Sequence, residues 1–170
     1  SVTVANLTAY SEQFFLPTFS GTGSTIDASI LAAKVDFTTG TGLYGVAMGD
    51  VDGDGKPDLV VPNGLSSTVS VFRNTGSSGT VSFAAKVDLT TGSVPTSVAL
   101  GDVNGDGKPD LAATNYSSNS VSVYQNTSSS GTISFAAKVD FTAGTHPSRV
   151  AMGDVDGDGK PDLVVANYGG

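Results

Sequence analysis

Hydrophobic and polar residues alternate over short stretches of this chain, with turn-forming residues between them. Ser120-Val121-Ser122-Val123-Tyr124 is the clearest case. A period of two marks a strand with one face buried. Val98-Ala99-Leu100 and Leu111-Ala112-Ala113 are short apolar runs on either side of an acidic, glycine-rich loop, and they read as a strand in and a strand out. Ala84-Ala85-Lys86-Val87-Asp88-Leu89 ends one strand, Asn126–Gly131 is a turn, and Thr132-Ile133-Ser134-Phe135 begins the last strand. Residues 84–135 therefore predict four short strands. A 3.6-residue periodicity is absent, which excludes a helical solenoid.

The acidic loop occurs three times. Gly49-Asp50-Val51-Asp52-Gly53-Asp54-Gly55-Lys56-Pro57-Asp58-Leu59 returns from Gly101 to Leu111 and from Gly153 to Leu163, with Asn104 as the one ligand exchange. Four antiparallel strands repeated radially make a propeller blade, so the expected fold is an all-β β-propeller of four-stranded antiparallel blades. A parallel β-helix also stacks acidic turns, but its repeats are far shorter. The units are read as 32–83, 84–135, and 136–170 completed by 1–31, in a single domain over 1–170 with an insertion at about 9–24. Tyr10, Phe14, Phe15, Leu16 and Phe19 cluster in that region. Either residues 1–8 are a third strand before a long loop, or Phe15–Ser20 is that strand; the first is preferred. Ser1-Val2-Thr3-Val4 resembles Ser120-Val121-Ser122-Val123. Three blades per chain, completed by a second chain to six in a homodimer, are therefore expected, with an excised piece of a longer propeller as the alternative.

Carboxylates at positions 1, 3, 5 and 9 of a flexible loop present hard oxygens to one centre, which is what calcium requires. Glycines supply the positive φ angles of such a loop. Lys56, Lys108 and Lys160 hold position 7, where a backbone carbonyl serves and the side chain is free to vary. The bidentate Glu of an EF-hand is missing; Val61, Ala113 and Val165 stand at its position. The loop therefore belongs to a β-hairpin. An Asp- and Gly-rich turn without metal is the plainer reading of one copy, but three matched copies favour a structural Ca²⁺ in each.

Composition sharpens this. The formal charge is −8, and eleven of the sixteen acidic residues are loop positions. Three divalent ions would cancel six of those charges. An acidic chain argues against nucleic acid or anionic membrane as partner. There is no Cys, hence no disulfide and no thiolate metal site. No apolar run reaches the roughly 20 residues of a membrane span.

On the motif D-x-D/N-x-D-G-x-x-D between the first two strands, the repeats resemble the FG-GAP type of integrin α-subunit propellers and bacterial surface proteins. The Phe-Gly and Gly-Ala-Pro signatures of that family are missing. The resemblance implies a calcium-binding blade, and a ligand role for Asp50, Asp52, Asp54 and Asp58, for Asp102, Asn104, Asp106 and Asp110, and for Asp154, Asp156, Asp158 and Asp162. It also implies an extracellular or cell-surface setting.

Strand alternation puts loops 2–3 and 4–1 on the face opposite the acidic loops. These loops vary most between units, and loops on a rigid scaffold carry binding sites. Tyr44, Asn63, Asn115, Tyr116, His146, Arg149, Asn167 and Tyr168 are the candidates there. Tyrosines beside amides suit a sugar, whose apolar face stacks on a ring. Packing of those tyrosines against the next blade is the competing reading. Enzyme chemistry finds little support: His146 is the sole His, Glu12 the sole Glu. The expectation is a calcium-stabilised adhesion module with lectin-like glycan recognition, with a protein–protein scaffold as the alternative and a polysaccharide lyase or hydrolase as a more remote one.

Overall fold

The computed structural model describes residues 13–15, as backbone, and 34–169. Every regular element there is a strand except one turn of 3-10 helix, Tyr116–Ser118. The strands are β1 (Gln13–Phe15), β2 (Asp36–Thr38), β3 (Ala47–Gly49), β4 (Asp58–Asn63), β5 (Thr68–Phe72), β6 (Val87–Thr90), β7 (Pro95–Gly101), β8 (Asp110–Asn115), β9 (Ser120–Tyr124), β10 (Val139–Thr142), β11 (Thr145–Gly153) and β12 (Asp162–Gly169).

Two sheets have four strands in sequential order, β3-β4-β5-β6 and β7-β8-β9-β10, and all their pairs are antiparallel. They match each other at an offset of 52, with Leu59 opposite Phe72 in one and Leu111 opposite Tyr124 in the other. Two further sheets have two strands each, β1-β2 and β11-β12. The four-stranded sheets run over 47–90 and 95–142. Each therefore straddles the sequence units, taking its outermost strand from the start of the next unit. The fourth strand also begins later than Thr132. Residues 126–135 form a narrow hairpin held by isolated bridges, Asn126 to Phe135 and Ser129 to Thr132, and regular pairing resumes at Val139.

At the N-terminus, Gln13–Phe15 pairs with β2 in the way β5 pairs with β6. The strand lies within the segment read as an inserted loop, and closer to the second of the two registers than to the preferred one. Pairing of Phe14 with Phe37 aligns two apolar residues here. Residues 1–8, including Ser1–Val4, and Tyr10, Leu16 and Phe19 lie outside the described residues.

The second strand of each full sheet is buried throughout, Asp58–Asn63 and Asp110–Asn115. Its two faces feed different layers. Val60, Val69 and Val71 meet Leu111, Ala113 and Tyr124 of the next sheet. Leu59, Val61 and Phe72 meet Phe37, Leu43 and Phe83 on the other side. Ala112, Val121 and Val150 join the second sheet to β11. Blades thus stack face to face, and each fully buried valine or leucine contributes roughly 1.5–3 kcal/mol. The glycine that opens each of the first two acidic motifs has a packing role, while Gly153 at the third faces open space. A Cβ on Gly49 would lie 2.8 Å from Leu100 Cδ1, and one on Gly101 would lie 2.8 Å from Met152 Sδ. At both places glycine leaves room for a side chain of the next inner strand, which would have to shift to admit a Cβ.

Candidate metal loops and the opposite aromatic face

Each acidic loop is wound around its own first carboxylate. Asp50 Oδ1 accepts from the backbone N–H of Gly53 (2.9 Å) and Asp54 (3.0 Å), and Oδ2 from that of Gly55 (2.8 Å). Asp52 Oδ1 accepts from Asp54 N–H, and Asp54 Oδ1 from Lys56 N–H. Asp58 closes the turn, its Oδ2 accepting from Val51 N–H (2.9 Å) and its Oδ1 from Asn74 N–H (2.8 Å). The pattern repeats at Asp102, Asn104, Asp106 and Asp110. At Asp154, Asp156, Asp158 and Asp162 it repeats in part: among the described residues the bond from Asp158 N–H to Asp154 and a second bond to Asp162 are missing. Gly53 and Gly55 stand at φ 74° and 86°, the left-handed region that the winding requires.

This winding brings carboxylates together. One oxygen from each of Asp50, Asp52 and Asp58 lies within 4.8 Å of the others, as does one from each of Asp154, Asp156 and Asp162. The donors are all hard oxygens, with no imidazole or thiolate among them. That set fits calcium or magnesium rather than zinc. Asp58 is fully buried. Burial first, and then the charge of Asp52, hold its carboxyl above the usual range against the lowering effect of its backbone N–H partners. A bound cation would relieve both pressures. In the middle loop Asn104 keeps an amide oxygen in place of a carboxylate, and its Nδ2 donates to Asp106 Oδ2 (3.0 Å). The amides of Lys108 and Asn104 hold the exposed Asp106 carboxyl below its ordinary value.

The loops differ in what surrounds them. The hairpin of the second blade leans on the first loop: Gly131 N–H donates to Asp52 Oδ2 (2.8 Å) and Asn126 Nδ2 to Val51 O (2.8 Å). Val51 and Asp52 are buried as a result, whereas Val155 is exposed. Lys56 Nζ and Arg73 Nη1 lie 3.8 Å and 4.0 Å from Asp54 Oδ2. Lys108 turns away instead, donating from Nζ to Ser128 O (2.8 Å).

On the opposite face the candidate ligand residues separate into two groups. Asn63 and Asn115 are wholly buried and belong to the framework. Asn115 Oδ1 accepts from Gly92 N–H (3.1 Å), and its Nδ2 donates to Ser120 Oγ (3.0 Å) and Ser122 Oγ (2.8 Å). Ser122 Oγ passes the chain on to Asp140, which Lys138 also engages. Asn63 repeats this through Gly40, Thr68, Ser70 and Asp88. Both N–H donors of each amide are used and the whole side chain is buried, so neither faces a ligand. Tyr116, His146 and Tyr168 are brought together. The Tyr116 and His146 rings stack with centroids 4.5 Å apart and 24° between planes, and Tyr168 lies 6.5 Å from Tyr116. Tyr168 is 79% exposed. Asn167 and Arg149 are exposed nearby in sequence, Arg149 Nη1 donating to Ser148 O (2.8 Å). Tyr44 stands apart, half-exposed, with its ring over Gly64 where the other units carry Tyr116 and Tyr168.

Family comparison agrees with this geometry. The model of the FG-GAP-like repeat matches residues 11–61, 63–113 and 102–165. The chain belongs to the FG-GAP-like repeat family. The FG-GAP repeat model itself matches residues 42–83. No curated protein matches the chain. FG-GAP repeats build β-propeller binding modules, and they are typical of extracellular or surface proteins. No helix among the described residues is long and apolar enough to cross a membrane.

Several working residues of this FG-GAP-like chain escaped the sequence reading. Asn74 and Asn126 bind the ninth-position carboxylate through their backbone N–H and reach Pro57 O and Pro109 O through their side chains. Their recurrence at a spacing of 52 was the available signal. Arg73 carried no signal, because nothing local places it beside Asp54.

Proposed function

We propose that this chain is a calcium-stabilised extracellular binding module that recognises glycans on the face opposite the acidic loops. The Tyr116–His146–Tyr168 cluster supports this reading. It offers an open ring for the apolar face of a sugar, held by a second ring that is itself stacked. The His146 ring is occupied in that stack, which fits a binder better than a catalyst. A glycan array tests the proposal. Binding should be lost in Tyr168→Ala with the melting temperature unchanged. Binding to a polypeptide, with no glycan retained, would replace this reading by that of a protein scaffold.

Calcium at the three loops has a structural part in this proposal. Its support is the convergence of carboxylates in the first and third loops and the matching winding of the second. Each ion at a hundredfold excess over its Kd adds about 2.7 kcal/mol, so three add about 8 kcal/mol. EDTA should then lower Tm by about 16–30 °C, and Ca²⁺ should restore it. A Tm indifferent to EDTA would refute the role.

For assembly we propose a homodimer. The β11-β12 sheet of one copy and the β1-β2 sheet of the other together supply the four strands of a blade. Light scattering of the 170-residue chain should give twice the mass of one chain; a stable monomer would rule this out.

A further inference from the structure

The fifth-position carboxylates stand outside the acidic clusters. Asp50, Asp52 and Asp58 converge, as do Asp154, Asp156 and Asp162, without Asp54 or Asp158. A cation that takes six to eight oxygens gains a further charged ligand by drawing this position in as it binds. What holds the position differs from loop to loop. In the first loop Asp54 Oδ2 faces two cations, Lys56 Nζ at 3.8 Å and Arg73 Nη1 at 4.0 Å. The two side chains of the Arg73 pair are only 13% and 27% exposed, so water screens them less than it would a surface pair. Arg73 follows β5 directly and reaches the loop from the third strand of its sheet. The equivalent position in the next unit is Gln125, which is neutral and hydrogen-bonds Asp106. In the third loop Asp158 accepts from Lys160 N–H, and no ion pair engages it among the described residues.

We infer that Arg73 is a built-in competitor for calcium at the first loop. This inference rests on the calcium reading above. Recruiting Asp54 to the ion draws it from a guanidinium that stays close by, and a divalent ion and a fixed positive charge repel each other. At a separation of about 7 Å even a fully water-like dielectric leaves a repulsion worth roughly a five- to tenfold loss of affinity. The burial that the second blade gives the first loop adds order but removes none of this charge. The first loop is therefore a weaker calcium site than the third, despite carrying the same four carboxylates.

The test is Arg73→Gln, which copies the residue native to the next blade, with Arg73→Lys as the control that keeps the charge. Calcium is titrated against the full chain, and the backbone amide signals of Gly53, Gly55, Gly157 and Gly159 report the two loops separately by NMR. In Arg73→Gln the first loop should tighten roughly five- to tenfold, with the third loop unchanged. In Arg73→Lys the first loop should stay within about twofold of the wild type. An unchanged first loop in Arg73→Gln overturns the inference, as does equal tightening in both variants or a matching change at the third loop. A wild-type chain whose loops ignore calcium altogether overturns the calcium reading itself, which the titration shows before any variant is compared.

Discussion

Asn115→Ala separates the two roles that residue could have had. The substitution removes three hydrogen bonds, to Gly92, Ser120 and Ser122. Each has a net worth of about 1 kcal/mol, and the half-buried N–H left unpaired on Gly92 costs about 1 kcal/mol more. The expected loss is about 4 kcal/mol, which for a domain of this size is about 8–16 °C in Tm. Asn167→Ala at the equivalent place is the internal control. In the single chain Asn167 is exposed, and its side chain has no hydrogen bond among the described residues, so in a chain kept apart from a partner its loss should shift Tm by about 2 °C or less. Calorimetry on both variants in excess calcium reads the difference. Two similar small shifts would refute the framework role and return Asn115 to the list of ligand residues.

Tyr124 gives a pH signature. Its hydroxyl donates to Thr90 O of the preceding blade (2.7 Å), and burial above all, with the charge of Asp140 added, pushes its pKa up to about 12. The unfolded chain gives up this proton first, near pH 10, so stability falls as pH rises from about 10 to 12, by up to about 2.7 kcal/mol. Alkaline melts of wild type and Tyr124→Phe should diverge over that interval; parallel curves would contradict the burial argument. Val94 is a β-branched residue at φ 56°, where the other units have Gly42 and His146. Val94→Gly should raise stability by about 1 kcal/mol, visible as a higher urea midpoint at constant slope, because the strain of that backbone vanishes. Ser122→Ala removes one of the two donors that hold the Asp140 carboxyl low against the opposing pull of burial. Asp140 should then titrate at higher pH by carboxyl NMR. The stability it lends above its unfolded value near 3.8 should be lost earlier as acid is added.

The blade was legible because its signals are local. Alternation in Ser120–Tyr124, the glycines at fixed offsets and the carboxylates two apart each act within one loop or strand, and a period of 52 repeats them. What escaped depends on contacts between distant segments. Asn63 and Asn115 sit at the ends of strands, where a polar residue ordinarily meets water. Only the third-strand hydroxyls and the glycine of the preceding turn make them interior. The fourth strand was placed too early because Thr132–Phe135 carries strand-like residues, yet they serve a narrow hairpin whose tip is bound by the previous blade. The pairing of Tyr116 with His146 crosses from one blade to the next, and their separation of thirty residues gave no hint of it. The N-terminal strand was obscured because Phe14 and Phe15 are adjacent apolar residues, without the polar-apolar alternation shown by Thr68–Val71 and Ser120–Val123.

The bond from Gly131 to Asp52 joins residues 79 positions apart. A ribosome adding roughly 5–20 residues each second leaves the first acidic loop without that support for about 4–16 seconds. During that interval the nascent chain displays a crowded anionic turn whose cover has yet to be made. The order of synthesis thus gives dissolved cations first access to the loop, before the later hairpin arrives to shut it in.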